Sequence, residues 1–248
     1  MLDNGKHLND SDFKGSRYRC LRVTHLPKEK VVEFFNSLVS PFAEVGEGKN
    51  AMYMPEGFCK PDEAKLYKTC GFLTDTQCET ITKWWLDDSK GANIPNWDII
   101  SKCTIGGRDG LVLVEAKAHK SELNRNDCCK AGEKNCKQIN AAIEKASKGL
   151  GDGWNLSTKT HYQLSNRFAW AWKIASMGVP VVLVYLGFLN AQEMGDDYFK
   201  SHDDWRNYLL EYSKKHVPNS AWGHPAAGGT PLIPLIRSAE VCDVVRVV

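Results

Sequence analysis

Asp98, Glu115 and Lys117 are the side chains of this sequence whose types and spacing best suit chemistry. Two carboxylates are hard oxygen ligands of the kind Mg²⁺ uses, alongside water and substrate phosphate. A metal so held lowers the pKa of bound water and neutralises charge at phosphorus. An ammonium beside it orients the nucleophile or stabilises the developing negative charge. The ordinary alternative is a solvated strand end carrying a Glu/Lys pair. What separates the two is whether the chain brings Asp98 to Glu115.

Residues 96–122 decide that. A short apolar run follows Asp98, a glycine-rich reversal occupies residues 106–110, and a second apolar run ends in Glu115-Ala116-Lys117. This pattern predicts a β-hairpin. Side chains alternate along a strand, so Glu115 and Lys117 share a face and Ala116 lies on the other. With Gly106-Gly107 at the centre of the turn, Asp98 falls directly across from Glu115, with Cα atoms roughly 4.5–5.5 Å apart. With Arg108-Asp109 at the centre, Asp98 pairs with His119 and is too far from Glu115 to share an ion. The metal reading therefore favours the Gly-Gly register.

The motif Pro95-Asn96-Trp97-Asp98 followed by Glu115-Ala116-Lys117 resembles the signature of the PD-(D/E)xK nuclease superfamily, with Asn96-Trp97 inserted between Pro and Asp. The resemblance implies a restriction-endonuclease-like α/β fold, an αβββαβ core whose mixed central sheet is flanked by helices, with the acids and lysine on the second and third strands. It implies a Mg²⁺-dependent enzyme, with Mn²⁺ able to substitute, acting on nucleic acid and most simply DNA. Asp98, Glu115 and the Ala116 carbonyl would hold the metal, and Lys117 would activate or position water. A further acid often comes from a preceding helix, with Glu79 as candidate and Glu47 as rival. A Gln on the following helix contacts water or phosphate in similar nucleases. Gln163 is favoured over Gln138 for that role, with Arg167 where some relatives have Tyr.

Composition is that of a globular chain, 42% hydrophobic and 25% charged over 248 residues. One domain over 1–248 is expected, its core at about 74–189, with 1–60 and 200–248 as elaborations. No apolar run approaches the ~18–20 residues of a membrane span. The polar N-terminus lacks an apolar leader, and nine cysteines fit reduced thiols, so a cytoplasmic location is expected. Cys128, Cys129 and Cys136, with His119 nearby, lack the paired spacing of a zinc site and leave only a soft-metal alternative. Net charge is +2, yet residues 117–148 are lysine-rich, which suits either a polyphosphate partner or a solvated helix face. Cutting both strands of a duplex would need two sites, hence a homodimer or sequential nicking.

Along the chain, the first 28 residues read as loop, with residues 18–23 as a possible short strand. Apolar periodicity predicts helices over residues 27–39, 74–91, 133–148, 158–177 and 203–215, and a shorter one from Pro61 to about Thr69. Thr74 and Gln77 form a capping-box pattern. Residues 179–189 are continuously apolar, as in a strand covered on both faces. A last apolar stretch, 232–236, and a terminal strand, 241–248, close the chain. His216 and His224 read as surface or structural. Two readings without cleavage remain beside the nuclease: a nucleic-acid-binding or scaffold protein of the same fold, and a small-molecule binding domain in which Glu115 and Lys117 are a structural ion pair.

Overall fold

The hairpin forms in the register of a Gly106-Gly107 turn. A computed structural model describes residues 14–46, 51–87, 94–226, 229–241 and 245–247. In it β4 (Ile99–Ile105) pairs antiparallel with β5 (Arg108–Lys117), Ile105 against Arg108 and Ile99 against Val114. The ladder stops one residue short of Asp98, which sits in a bend just before β4 and meets β5 through its side chain, at the Ala116 N–H. Gly106 and Gly107 have φ of 55° and 76°, the left-handed pair that a two-residue hairpin turn demands and a β-carbon would oppose.

The hairpin lies inside a mixed six-stranded sheet of order β1-β4-β5-β6-β7-β8. β1 (Tyr53–Met54) joins β4 antiparallel, while β6 (Val181–Leu189) runs parallel to β5, and β7 (Leu232–Val241) parallel to β6. β8 (Val245–Val247) returns antiparallel to β7. All nine residues of β6 are buried, as the unbroken apolar run required for a strand covered on both faces.

Alternation along β5 divides the core. Val112, Val114 and Ala116 face α1 (Gly15–Thr24) and α2 (Lys28–Val39), whose Cys20, Val23, Val31, Phe35 and Leu38 complete that layer. Leu111 and Leu113 face the other side, with α3 (Asp75–Trp85), α4 (Glu133–Leu150), α5 (Tyr162–Ser176) and α6 (His202–Ser213). Glu115 and Lys117 continue the second row, so both charges point into the α5 layer.

Three expectations change. Residues 15–24 are helix, not loop or strand: Cys20, Leu21 and Val23 are buried, and Arg19 pairs with Glu193, a partner far off in the sequence. The segment after Pro61 contains β2 (Ala64–Lys65), paired with β3 (Asn96–Trp97), because burying Ala64 against Trp97 overrides its weak helical pattern. The first 60 residues, expected as an elaboration, supply the helices that cover one face of the sheet. Smaller boundary differences also appear. The 74–91 helix stops at Trp85, with its Thr74–Gln77 capping box formed, and β7 is continuous to Val241. Glu47, residues 88–93 and the first 13 residues lie outside the described residues. No helix among the described residues is long and apolar enough to cross a membrane.

Candidate active site

Glu115, 1% exposed, is the centre of the charged cluster. Its Oε1 accepts from Lys117 Nζ and its Oε2 from Arg167 Nε. Arg167 reaches it from α5, and its guanidinium lies 5.1 Å from the centroid of the buried Trp97 ring. Trp97, part of the insertion between Pro95 and Asp98, is thus the surface on which Arg167 rests, and cation–π attraction favours a guanidinium in that position. Arg167 Nη1 also donates to Asn166 Oδ1 at 2.8 Å.

Asp98 is less deeply placed. It is half-buried, and its Oδ2 accepts the Ala116 N–H at 2.7 Å across the hairpin. The N–H and C=O of one strand residue leave by the same edge, so the Ala116 carbonyl faces the Asp98 side as well.

The electrostatics differ sharply between the two acids. Burial pushes Glu115 up, but Arg167 and Lys117 more than reverse this and hold it below the usual carboxylate range. Burial and then the Glu115 charge push Asp98 up to about 7, against the opposing pull of Lys117 and the Ala116 N–H. Burial alone would lower Lys117, yet Glu115 and Asp98 raise it above its ordinary value, so it keeps its proton at neutral pH. Both nearby cations thus lean on Glu115 and leave Asp98 with charge to spare.

Two further acids stand close by. Glu63 accepts from Arg17 Nη1 at 2.8 Å and from Asn96 Nδ2 at 2.9 Å. Glu122 accepts from the Ala118 and His119 N–H groups and from Ser16 Oγ. Arg17 and Ser16 belong to α1, so this helix is tied down across the end of the hairpin. A narrow crevice lined by Arg17, Cys20, Leu21, Pro55, Glu63 and Asp98 remains beneath it. On the α5 side a cavity of about 310 Å³ opens beside Pro95, Asp127, Lys130, Tyr162 and Asn166.

The structure brings Asp98, Glu115, Ala116 and Lys117 together and leaves the other candidates apart. Glu79 lies on the solvent face of α3 and pairs with Lys83 at 2.6 Å, because its position falls off the apolar stripe that packs against the sheet. From α5 the contact to Glu115 is made by Arg167; Gln163, one turn earlier, donates its backbone N–H to Asp127 Oδ2. Gln138 donates to the Lys83 carbonyl and accepts the Asp87 N–H, which joins α4 to α3. Of the two alternatives for His216, surface or structural, it is structural: it is buried and bonds His161. Cys128, Cys129 and Cys136 are half-buried thiols. Among the described residues no group of three or more His, Cys, Asp and Glu side chains converges as a metal cage.

Glu63, Arg17 and Ser16 gave no sequence signal, since their partners are long-range. Glu122 did give one: a Glu three residues after a cap position, here His119, is a capping-box spacing. No family model matches the chain, and neither a curated protein nor a solved structure matches it.

Proposed function

We propose that the chain is a metal-dependent phosphodiesterase of restriction-endonuclease-like fold, with DNA as its substrate. The observation that carries this reading is the hydrogen bond from the Ala116 N–H to Asp98 Oδ2, which holds Asp98 beside Glu115 and Lys117 at the end of the hairpin, where burial and the Glu115 charge push its carboxylate up to about 7. A divalent cation is the group that restores such a carboxylate to its ionised form.

The donor set fits Mg²⁺ in kind. Two carboxylates and one carbonyl, from Asp98, Glu115 and Ala116, are hard oxygens, and Mg²⁺ completes its shell with water and substrate oxygens without a dedicated protein cage. When bound, the ion would supply an activated water and charge neutralisation at phosphorus. The protein's own groups do the rest. Lys117, protonated at neutral pH, stabilises negative charge developing on the phosphate and serves poorly as a proton acceptor. Arg167 holds Glu115 in one orientation. Lys130, exposed at the mouth of the α5-side cavity, offers a phosphate contact.

The order of elements supports the fold reading. Within the six-stranded sheet, α2, β1, β4, β5, the α4–α5 crossover and β6 occur in αβββαβ order, with β2, α3 and β3 inserted between β1 and β4; Asp98 immediately precedes β4, and Glu115 and Lys117 lie on β5. One observation favours the runner-up, a nucleic-acid-binding protein without cleavage: Glu115 is already neutralised by two cations, and α1 lies across the Asp98 side.

Incubation of supercoiled plasmid with Mg²⁺ or Mn²⁺, against chelator, separates the two. Nicking that needs the metal and falls by at least ~10²-fold in Lys117→Ala supports the enzyme. DNA binding without metal-dependent cleavage of plasmid, single strands or RNA supports the runner-up.

A further inference from the structure

Away from this site, Cys70 and Cys78 bring their sulfurs to 3.4 Å. Cys78 lies in the first turn of α3, fully buried against the core. Cys70 is half-buried in the turn that precedes the helix, where Lys68 and Gly71 adopt left-handed φ of 52° and 77° and fold the chain back on the helix. The backbone N–H groups of Phe72 and Leu73 also face the Cys70 sulfur. The two thiols therefore differ in role: a reagent from solvent reaches Cys70, while Cys78 waits behind it. The separation exceeds the ~2.05 Å of a disulfide by an amount that a turn flanked by a glycine can close.

We propose that Cys70 and Cys78 are a redox-active dithiol, a modification site at which Cys70 exchanges with a low-molecular-weight disulfide of the glutathione class and Cys78 resolves the product. Cys70 attacks as thiolate, forming a bond to one sulfur of the reagent and expelling the other as a thiolate. Cys78 then gives up its proton and attacks Cys70 Sγ, and the second reagent sulfur leaves as a thiolate that takes up that proton. The protein dithiol loses two electrons to become a disulfide, and the reagent disulfide gains them to become two thiols. The surroundings favour this order. The hydrogen bond from Cys78 is the main reason the Cys70 thiol is lowered to about 6, against the upward push of burial, so Cys70 is the nucleophile at neutral pH.

The test uses the full chain, incubated with oxidised glutathione, quenched with iodoacetamide and mapped by intact mass and peptide fragments. The expected result is loss of two alkylation sites with a Cys70–Cys78 cross-linked peptide. In Cys78→Ser, glutathione should remain trapped on Cys70. In Cys70→Ser, Cys78 should stay unmodified. Alkylation of Cys70 in the reduced protein should follow a pH midpoint near 6, where an ordinary thiol gives ~8.5. Glutathione retained on Cys70 of the unaltered chain, or both thiols still alkylated after oxidation, overturns the proposal. The unaltered chain decides this by itself, so a folding defect in a variant does not obscure the answer.

Discussion

Two buried titratable pairs are bound to α5, and they resolve their charge in opposite ways. At its N-terminal end His161 Nδ1 and His216 Nε2 lie 3.1 Å apart, and His216 Nδ1 bonds the Asn155 carbonyl at 2.6 Å. Burial, helped by the His216, Arg125 and Lys215 charges, lowers His161 to about 4. An imidazole can discard its proton and still serve as donor and acceptor, so this pair is satisfied as it stands. Two turns along from His161, Arg167 meets Glu115, and Asp98 is left pushed up to about 7. A carboxylate cannot be rid of its charge without binding something, be it a proton or a cation. The contrast teaches that a buried ionisable cluster points to function through its charge imbalance, and burial by itself does not.

Breaking the compensated half of the carboxylate site should have the largest effect. Arg167→Met leaves Glu115 with Lys117 as its one remaining cation of the pair, and removal of one partner from a buried ion pair costs ~3–5 kcal/mol. Urea unfolding should show that loss; a change below ~1 kcal/mol would mean that Glu115 is solvated in ways this arrangement does not predict.

Relieving the uncompensated half should act in the opposite direction. Asp98 has its folded pKa raised above the unfolded ~3.9, so the folded state binds more protons between pH 4 and 7 and its contribution is lost as pH rises across that window. Asp98→Asn, which keeps an oxygen for the Ala116 N–H, should therefore stabilise the metal-free protein at pH 8 by about 1–3 kcal/mol. Destabilisation by this variant would remove the imbalance from the account.

The histidine pair has the reverse sign. His161 is lowered from ~6.5 to about 4, so the unfolded state binds more protons across that range. Stability is full above pH 6.5 and falls as pH drops toward 4. His161→Asn should flatten that part of the thermal-melting profile, and an unchanged acid limb would place its cause elsewhere. Smaller still, Lys130→Ala should lower DNA affinity and reduce the slope of log affinity against log salt by about 1 if Lys130 meets a phosphate. Glu79→Gln, on the solvent face, should leave cleavage unchanged.

The hairpin and its register were legible because their determinants are local: two glycines for a left-handed turn and a strict alternation that a one-residue slip would invert. The Thr74–Gln77 capping box, the β6 run and the 28–39 helix were readable for the same reason. Arg167 was only half visible. Its helix was clear, but an arginine on a helix says nothing of a Trp97 platform contributed by a separate strand. The role of α1 was hidden altogether, since its anchors Glu63, Glu122 and Glu193 come from remote loops and turns. Glu79 was misplaced by analogy where its own helical position, off the apolar stripe, already pointed to solvent.

Calorimetric titration of the purified chain with Mg²⁺ or Mn²⁺ at pH 8 and at pH 6, beside Asp98→Asn, tests the central claim most directly. The account predicts binding at one site that weakens about tenfold from pH 8 to pH 6, as Asp98 takes up its proton, and that is lost in the variant. No binding at pH 8, or binding indifferent to Asp98→Asn, would contradict it.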